Sequence, residues 1–330
     1  MKCFLNCKIL KMNLLCKIKN APSQLCFEAK RYLNQKHRYD FASVNNGWKK
    51  IGDKPIWGNR ELGTMFDPYA FMEDLKIKMV VSARKQNSLI LIDSEDGYHW
   101  NFQKSLLKGR LGKWDEIVNR GCLLLVNNKY YLWYTGQRNG KASIGLAISD
   151  NGQSYLRVAE SPVLEADKDF EGVSVMNPCV LWDTQKKCFK MWYSAGETYE
   201  PDIICYAESK DGVLWKKHFH PVLAKYPQHE WEKYKVGGCQ VIQLQDGSFK
   251  IYYIGYQNLD VARICMANST DGIKWERNDE NLLISPSKNA WDADAVYKPT
   301  IVEKDNVLFM WYNGRNAHEE YIGLAIKKND

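Results

Sequence analysis

The chain has 330 residues and a formal net charge of +7, with acidic residues interspersed among the basic ones. Because it contains no dense basic block or basic-aromatic motif, this composition argues against a nucleic-acid partner. Twelve Trp and nineteen Tyr supply bulky packing side chains, and a chain of this length can bury about three quarters of its unfolded surface.

Residues 1–40 differ in kind from the rest of the chain. From Met1 to Lys19, apolar residues and cysteines alternate with a lysine every few positions, which breaks the apolar core that a signal peptide or a membrane span needs. Phe27 to Tyr39 could form a helix on the rim of the domain that follows. We therefore expect residues 1–40 to be an extension, partly helical or disordered, and residues 41–330 to form one domain.

A phrase with the pattern Ser-x-Asp-Gly-x-x-Trp recurs along that domain. Its clearest copy starts at Ser209, and the turn residues Asp96, Asn151, Asp211 and Asp271 are spaced by 55, 60 and 60 residues. Asp-Gly and Asn-Gly pairs favour tight turns because glycine accepts positive φ, and alternating apolar residues on both sides indicate paired strands. Each copy therefore predicts one turn inside a repeated unit.

Each interval contains the same series of strands. In the third copy, we predict strands at 175–182, 188–194, 203–208 and 215–222, with the Asp-Gly turn before the last. Four antiparallel strands repeated five times predict an all-β, five-bladed β-propeller. The chain ends after the third strand of the fifth unit, so we expect Gly47 to Ile56 to supply the fourth strand and close the ring.

The ten cysteines show no paired metal-ligand spacing. Cys122, Cys179 and Cys239 recur near the same point of the first strand in three units, which favours a packing role over a reactive one. Buried, reduced thiols are typical of a cytoplasmic protein. The six histidines fall outside the inner strand starts, so we expect neither a metal nor another cofactor.

The first strands of a propeller lie innermost, and their starts meet the ends of the second strands at one mouth of the axial channel. Residues that differ between units at this mouth are free to serve a ligand. At one ring level they are Asp67, Arg120, Asn177, Gly238 and Lys298, and around them stand Arg84, Glu197, Lys235, Asp294 and Arg315.

Other mouth residues repeat from unit to unit. An aromatic residue and an acid form the pairs at 114–115, 170–171, 231–232 and 291–292. We interpret the aromatic ring as a wedge between blades and the acid as a partner of nearby backbone N–H groups. Glu171 is therefore a weaker catalytic candidate than its location suggests.

Asp67 is the leading candidate for chemistry. Pro68 after it supplies no N–H and is expected to hold the chain extended. A carboxylate facing several cations should have a depressed pKa and stay ionised, which suits a base or a nucleophile. The alternative is that Asp67 only forms a salt bridge with Arg120 or Lys298 that holds the ring together.

These residues resemble the five-bladed propeller glycosidases of glycoside hydrolase families 32, 43, 68 and 130. The resemblance covers about residues 41–330 and rests on the Asp67-Pro68 pair, the second strands ending in Trp-Tyr-Ser or Trp-Tyr-Thr-Gly, and the Asp-Gly turns. It implies cleavage or transfer of a glycosidic bond by carboxylates in the axial pocket, with Asp67 as base or nucleophile.

The chain departs from that pattern. Where families 32 and 43 carry further acids on the first strands of later blades, it has Arg120, Asn177 and Gly238. Glu197 is the best replacement proton donor and Asp294 the second, although Glu197 could be a solvated loop acid. Expected substrate-binding residues are Arg84, Arg120, Asn177, Lys235, Lys298 and Arg315.

The basic residues suggest a small carbohydrate substrate that is acidic or phosphorylated, or inorganic phosphate as a co-substrate. Family 130 includes phosphorylases that use one acid and bind phosphate with basic side chains. Hydrolysis, phosphorolysis and non-catalytic carbohydrate binding therefore remain open, whereas a flat protein-interaction platform fits the charged ring less well.

Overall fold

The computed structural model describes residues 46–197 and 201–328. The predicted extension at residues 1–40 lies outside this range. The described residues form five four-stranded antiparallel sheets, and each sheet takes its strands in sequence order apart from the strand that closes the ring. This arrangement confirms the predicted five-bladed β-propeller.

Blades 1 to 3 are continuous in sequence. Blade 1 contains β2 (Met65–Glu73), β3 (Lys76–Ala83), β4 (Ser88–Ser94) and β5 (Asn101–Lys108). Blade 2 contains β6 (Ile117–Val126), β7 (Lys129–Arg138), β8 (Lys141–Ser149) and β9 (Leu156–Arg157). Blade 3 contains β10 (Ser174–Asp183), β11 (Cys188–Gly196), β12 (Pro201–Ser209) and β13 (Lys216–Lys217).

Blade 5 joins the two ends of the described chain. Blade 4 contains β14 (Lys235–Gln243), β15 (Phe249–Tyr256), β16 (Ala262–Ser269) and β17 (Leu282–Ile284). Blade 5 contains β18 (Ala295–Lys304), β19 (Val307–Asn316), β20 (Glu319–Lys328) and, on its outer edge, β1 (Lys49–Ile51). The pairing of β1 with β20 confirms the predicted closure of the ring by N-terminal sequence. Short 3₁₀ turns at Asp169–Glu171 and Glu230–Glu232 precede blades 3 and 4.

The fourth strand of blade 3 is shorter than the sequence pattern predicts. In blade 3 only Lys216–Lys217 pair as a strand, and the chain rejoins β12 at Leu223. Pro221 lies in between and has no N–H to donate, so the ladder is interrupted there.

The Asp-Gly turns have a second function at the seams between blades. Asp211 Oδ1 accepts the N–H groups of Val213 and Leu214 at 2.8 Å, which confirms a turn. The indole N–H of Trp133 in blade 2 donates to Gly212 O of blade 3 at 3.1 Å. Trp192 and Trp311 make the same bond to the turns of blades 4 and 1. The recurring turn therefore also joins neighbouring blades.

The repeated acids are structural, as predicted, but their partners are mainly side chains. In blade 2, buried Asp115 accepts from Tyr134 Oη at 3.0 Å, from Arg157 Nε at 2.6 Å and from Arg110 Nε at 2.9 Å. The other three blades that carry the pair repeat this brace of tyrosine, acid and cation. Its members there are Tyr193, Glu171 and Lys217; Tyr253, Glu232 and Arg277; and Tyr312, Asp292 and Lys50.

The cysteines of the first strands also bridge blades. Cys122 Sγ accepts the N–H of Val180 at 3.3 Å, and Cys179 Sγ accepts that of Val241 at 3.2 Å. In blade 4 the equivalent acceptor is Gln240, because Cys239 is one residue out of register with the other two. Burial raises the pKa of the Cys122 thiol to about 12, which fits the predicted packing role.

Candidate active site in the axial cavity

A β-bulge interrupts every first strand at the same level of the channel. The register shifts between residues 66 and 69, 119 and 122, 176 and 179, 237 and 240, and 297 and 300. The first residue of each bulge has positive φ: Asp67 (53°), Arg120 (55°), Asn177 (55°), Gly238 (45°) and Lys298 (49°). These are the five residues that the sequence placed at one ring level. Bulges redirect side chains and are common beside active sites.

Asp67 is therefore left-handed and not extended, in contrast to the expectation from Pro68. Such a backbone costs about 1–3 kcal/mol for a residue other than glycine. A hydrogen bond from the bulge amide supports it, because Asp67 N donates to Asn313 Oδ1 of the adjacent blade at 2.6 Å. The amides of Arg120, Asn177 and Gly238 donate in the same way to Ser82, Thr135 and Ser194.

Above this level the channel opens into a cavity of about 580 Å³. Its polar lining residues are Asp67, Arg84, Asn87, Asn119, Arg120, Gln137, Asn177, Tyr256, Tyr297, Arg315 and Glu320. Its apolar lining residues are Phe66, Ile117, Val118, Pro201, Ile254, Ala262 and Ala295. A cavity of this size is typical of sites for small molecules.

Asp67 lies at the base of the cavity and is only 4% exposed. Its Oδ2 lies 3.1 Å from Arg120 Nε. Burial raises the pKa of Asp67, and the opposing charges of Arg120 and Lys298 only partly offset this effect. The expected depressed pKa is therefore wrong, because the charged neighbours do not recover the cost of removing the carboxylate from water. A raised pKa suits a group that exchanges a proton during a reaction.

Three of the predicted arginines, Arg84, Arg120 and Arg315, line the cavity together with Asp67. Arg84 lies over the Phe66 ring at 4.6 Å, and its Nη2 is 3.1 Å from Glu320 Oε2. Arg315 Nη2 donates to Asp260 O at 3.0 Å. Since guanidinium groups stay protonated in proteins, they give the cavity three permanent positive charges.

Glu320 is a second carboxylate in the cavity, and the sequence analysis missed it. Tyr297 Oη donates to its Oε1 at 2.6 Å, and its charge helps to raise the pKa of Asp67. Glu320 lies at the start of β20, opposite Arg315 in the ladder. The starts of third strands also reach the mouth, where blades 2 and 4 have Ala142 and Ala262. The comparison of blades would have identified Glu320 had it included the third strands.

Asn177 and Gln137 add neutral polar groups. Both side chains are buried, and Asn177 Oδ1 and Gln137 Nε2 have no hydrogen-bond partner among the described residues. Asn119 Nδ2 donates to Gln137 Oε1 at 2.9 Å, which turns the amide nitrogen of Gln137 away from that contact. Buried groups of this kind are ready to pair with a ligand.

Four other predicted site residues are not among the described residues that line the cavity. Lys298 is buried, and its Nζ lies 3.4 Å from Cys239 O, so it influences Asp67 through its charge. Lys235 pairs with Asp202 at 2.5 Å. The two predicted proton donors also lie elsewhere: Glu197 is exposed at the end of β11, and buried Asp294 accepts the N–H of Ala317 at 2.7 Å.

The part of the chain that the structure describes contains no cluster of three or more His, Cys, Asp or Glu side chains that could hold a metal ion. It also contains no helix long and apolar enough to cross a membrane.

Comparison with known proteins points to carbohydrate-active enzymes. A model of the glycosyl hydrolases family 32 N-terminal domain matches residues 113–236. A solved structure described as a glycoside hydrolase superposes with a TM-score of 0.70 at 19% identity, covering 90% of this chain and 95% of the other. The fold is that of the five-bladed glycosidase superfamily.

Two proteins are also similar to this chain in sequence. An uncharacterized protein of Mycobacterium tuberculosis is 27% identical over 239 residues, which cover 68% of this chain and 76% of the relative. A 1,2-beta-oligomannan phosphorylase of Thermoanaerobacter sp. is 29% identical over 145 residues, or 41% of this chain and 47% of that enzyme.

Proposed function

We propose that the protein is an enzyme that cleaves or transfers the glycosidic bond of a small, negatively charged saccharide in the axial cavity. The observation that carries this proposal is the presence of two carboxylates, Asp67 and Glu320, in one cavity with three arginines. Glycosidic bond cleavage needs a proton donor for the departing oxygen and a group that attacks the anomeric carbon or activates water.

The charge balance of the cavity favours an anionic ligand. Arg84, Arg120 and Arg315 contribute three positive charges, against at most two negative charges from Asp67 and Glu320. A sugar phosphate or a uronic acid would supply the balancing charge, and planar guanidinium groups bind phosphate and carboxylate well. The unpaired Asn177 Oδ1 and Gln137 Nε2 suit the hydroxyl groups of a sugar.

Asp67 is the group that we assign to proton transfer, as base or acid, at the glycosidic oxygen or at the attacking nucleophile. Its burial and raised pKa bring its protonation closer to neutral pH than that of an exposed aspartate. Glu320 is the second carboxylate, and Tyr297 and Arg84 fix its orientation through its two oxygens.

Phosphorolysis is a second candidate, and the arginines favour it. Inorganic phosphate would then attack the anomeric carbon, the bond to the departing oxygen would break, and a sugar 1-phosphate would form. The similarity to a phosphorylase from Thermoanaerobacter supports including phosphate as a co-substrate. A third candidate is carbohydrate binding without catalysis, because the family acids at the later bulges are replaced by Arg120, Asn177 and Gly238.

One experiment separates the three. The full chain is incubated with a panel of oligosaccharides and sugar phosphates, with and without inorganic phosphate, and the products are identified by mass spectrometry. Release of free sugar without phosphate and without any sugar 1-phosphate indicates hydrolysis. Phosphate-dependent formation of sugar 1-phosphate, together with the free sugar that leaves, indicates phosphorolysis. Binding without turnover in calorimetry indicates a binding module and contradicts the enzyme proposal.

Aryl glycosides test the role of Glu320. If Glu320 donates the proton, Glu320→Gln should lose activity on an alkyl glycoside and keep it on an activated aryl glycoside, whose leaving group needs no protonation. Equal losses on both substrates would show that Glu320 only positions Tyr297 and Arg84.

We also propose a cytoplasmic location. The six cysteines of the described residues are free and buried, which is typical of proteins kept in a reducing compartment. Cell fractionation with detection of the native protein tests this assignment.

A further inference from the structure

One wall of the axial cavity is apolar and forms a cluster of its own. Ile254, Tyr256, Ala262 and Ala295 are each at most 7% exposed, and Tyr297 packs against them. All five line the cavity, whereas the four larger hydrophobic clusters of the described residues contribute only Val118 to the lining. This wall, hereafter the Ile254 wall, therefore faces the ligand space as well as the protein.

Ile254 differs in chemical type from the residues at the same position in the other four blades. At the equivalent point of the second strand, blades 1, 2, 3 and 5 carry Ser82, Thr135, Ser194 and Asn313. Each of these side chains accepts the bulge amide of the next blade. Ile254 pairs with Gly237 at this point and has no acceptor in its side chain. Blade 4 has exchanged a hydrogen-bonding group for a hydrocarbon surface at the cavity.

The Ile254 wall lies opposite the charged pair of the cavity. In a ring of five blades, blade 4 faces the seam between blades 1 and 2, where Asp67 and Arg120 pair. Gly238 places no side chain at the bulge of blade 4, and a Cβ there would lie 2.5 Å from Ile254 Cδ1. The glycine thus leaves room for Ile254, so an apolar surface of blade 4 lies across the cavity from the pair of Asp67 and Arg120.

We propose that the Ile254 wall selects a sugar that carries a methyl group, either the C6 methyl of a 6-deoxy sugar or the methyl of an acetyl group. The inference rests on the proposed function and specifies its substrate class. The charged part of the ligand binds toward the arginines, and the methyl group lies against Ile254, Ala262 and the ring of Tyr256. A hydroxyl group placed there would lose its bonds to water, whereas a methyl group gains from burial.

Matched sugar phosphates test the proposal. Calorimetry compares glucose 1-phosphate with 6-deoxyglucose 1-phosphate and with N-acetylglucosamine 1-phosphate, and repeats the set in the galacto and manno series. We expect one methyl-bearing member to bind roughly 10- to 100-fold more tightly than its parent, the range for a single group in an apolar pocket. Which member is preferred distinguishes the deoxy from the acetyl source.

Two variants of Ile254 separate specificity from folding. Ile254→Thr keeps the β-branch and restores the acceptor that the other blades have, so we expect the ratio of affinities to fall toward one while the melting temperature is maintained. Ile254→Val is the control and should keep most of the ratio, because its surface remains hydrocarbon.

The outcomes distinguish this inference from the proposed function. Tight binding of all sugar phosphates with equal affinity, or an unchanged ratio in Ile254→Thr, would overturn the role of the wall and leave the proposed function standing. No binding of any sugar phosphate would count against the proposed function. The proposed preference for a methyl-bearing sugar would then be rejected as well.

Discussion

Asp115 and Asp67 are both buried carboxylates that face arginine side chains, yet their proton affinities shift in opposite directions. Asp115 is 0% exposed and Asp67 is 4% exposed. Burial opposes the ionisation of Asp115, but hydrogen bonds from Arg110 and Arg157 outweigh it and hold its pKa below the usual range. At Asp67 burial prevails and raises the pKa.

The difference lies in how completely each carboxylate is hydrogen-bonded. Both oxygens of Asp115 accept from arginine Nε atoms, and Oδ2 also accepts from Tyr134. Asp67 Oδ2 lies 3.1 Å from Arg120 Nε but lacks hydrogen-bond geometry to any described residue. A saturated carboxylate is a structural brace, whereas an unsaturated one retains lone pairs for a ligand or a proton. The brace recurs in four blades, while Asp67 occurs once.

The largest expected effect comes from removing the charge of Asp67. We expect Asp67→Asn to lower turnover by about 10²–10⁴-fold, the usual contribution of a proton-transfer group. Asp115→Asn is the matched control, since it makes the same substitution at a buried carboxylate outside the cavity and should keep the turnover of the folded protein. Turnover is measured on the substrate that the activity panel identifies. Unchanged turnover in Asp67→Asn would remove Asp67 from the mechanism.

Stability should show the reverse pattern. Asp115→Asn removes the anion that Arg157 and Arg110 share, and Arg110 keeps only exposed Glu160. We expect the variant to lower the free energy of unfolding by about 3 kcal/mol, the low end for breaking a buried ion pair. Urea denaturation of both variants checks this. A larger loss in Asp67→Asn than in Asp115→Asn would make Asp67 the structural salt bridge that the sequence analysis left open.

The repeat explains how much of the fold could be predicted from sequence. Five units, their inner three strands and the closing strand at Lys49–Ile51 follow from turn residues and apolar alternation, which are local signals. The fourth strand of blade 3 was predicted too long, because the predicted strand ran past Pro221, which has no N–H to donate to the ladder. Only part of each brace was predictable, because the acids recur beside aromatic residues whereas most of their cations are distant in sequence. Arg157, Lys217 and Arg277 lie 42, 46 and 45 positions from their acids, and Lys50 lies 242 positions from Asp292.

The sequence predicted those lining residues that follow from the positions of strand starts and ends. It did not predict the direction of individual side chains or their burial. Asp67, Arg84, Arg120, Asn177 and Arg315 line it as expected. Lys298 occupies the same position in blade 5 as Asp67 does in blade 1. Its Nζ lies near Cys239 O, and Lys298 is not among the cavity-lining residues. Glu320 was missed because the comparison of blades omitted the third strands, and the sign of the Asp67 pKa shift depends on burial, which the sequence does not give.

The dependence of stability on pH sharpens the comparison. The pKa of Asp115 is lower in the folded protein than the unfolded value of about 3.9, so its stabilising contribution is complete above that value and is lost as the pH falls through the folded pKa. The deficit of Asp115→Asn should therefore be full at neutral pH and shrink below about pH 4. Urea midpoints of wild type and variant across this range measure it. A constant deficit would mean that the carboxylate charge does not stabilise blade 2.

The smallest expected effect concerns Arg120, which opposes the burial of Asp67. Because Arg120 lowers the pKa of Asp67, Arg120→Gln should raise it further. A buried acid with a raised pKa weakens the fold as the pH rises through the interval between its unfolded and folded values, so Arg120→Gln should extend this loss to higher pH. The limb of the pH–activity profile that Asp67 sets should move in the same direction: the acid limb if Asp67 is the base, and the basic limb if it is the acid. Adding Asp67→Asn should abolish the shift in stability, since no carboxyl group then titrates at this position. If the double variant still showed the shift in the pH dependence of stability, another group would cause it. Arg120 would then have no electrostatic effect on Asp67.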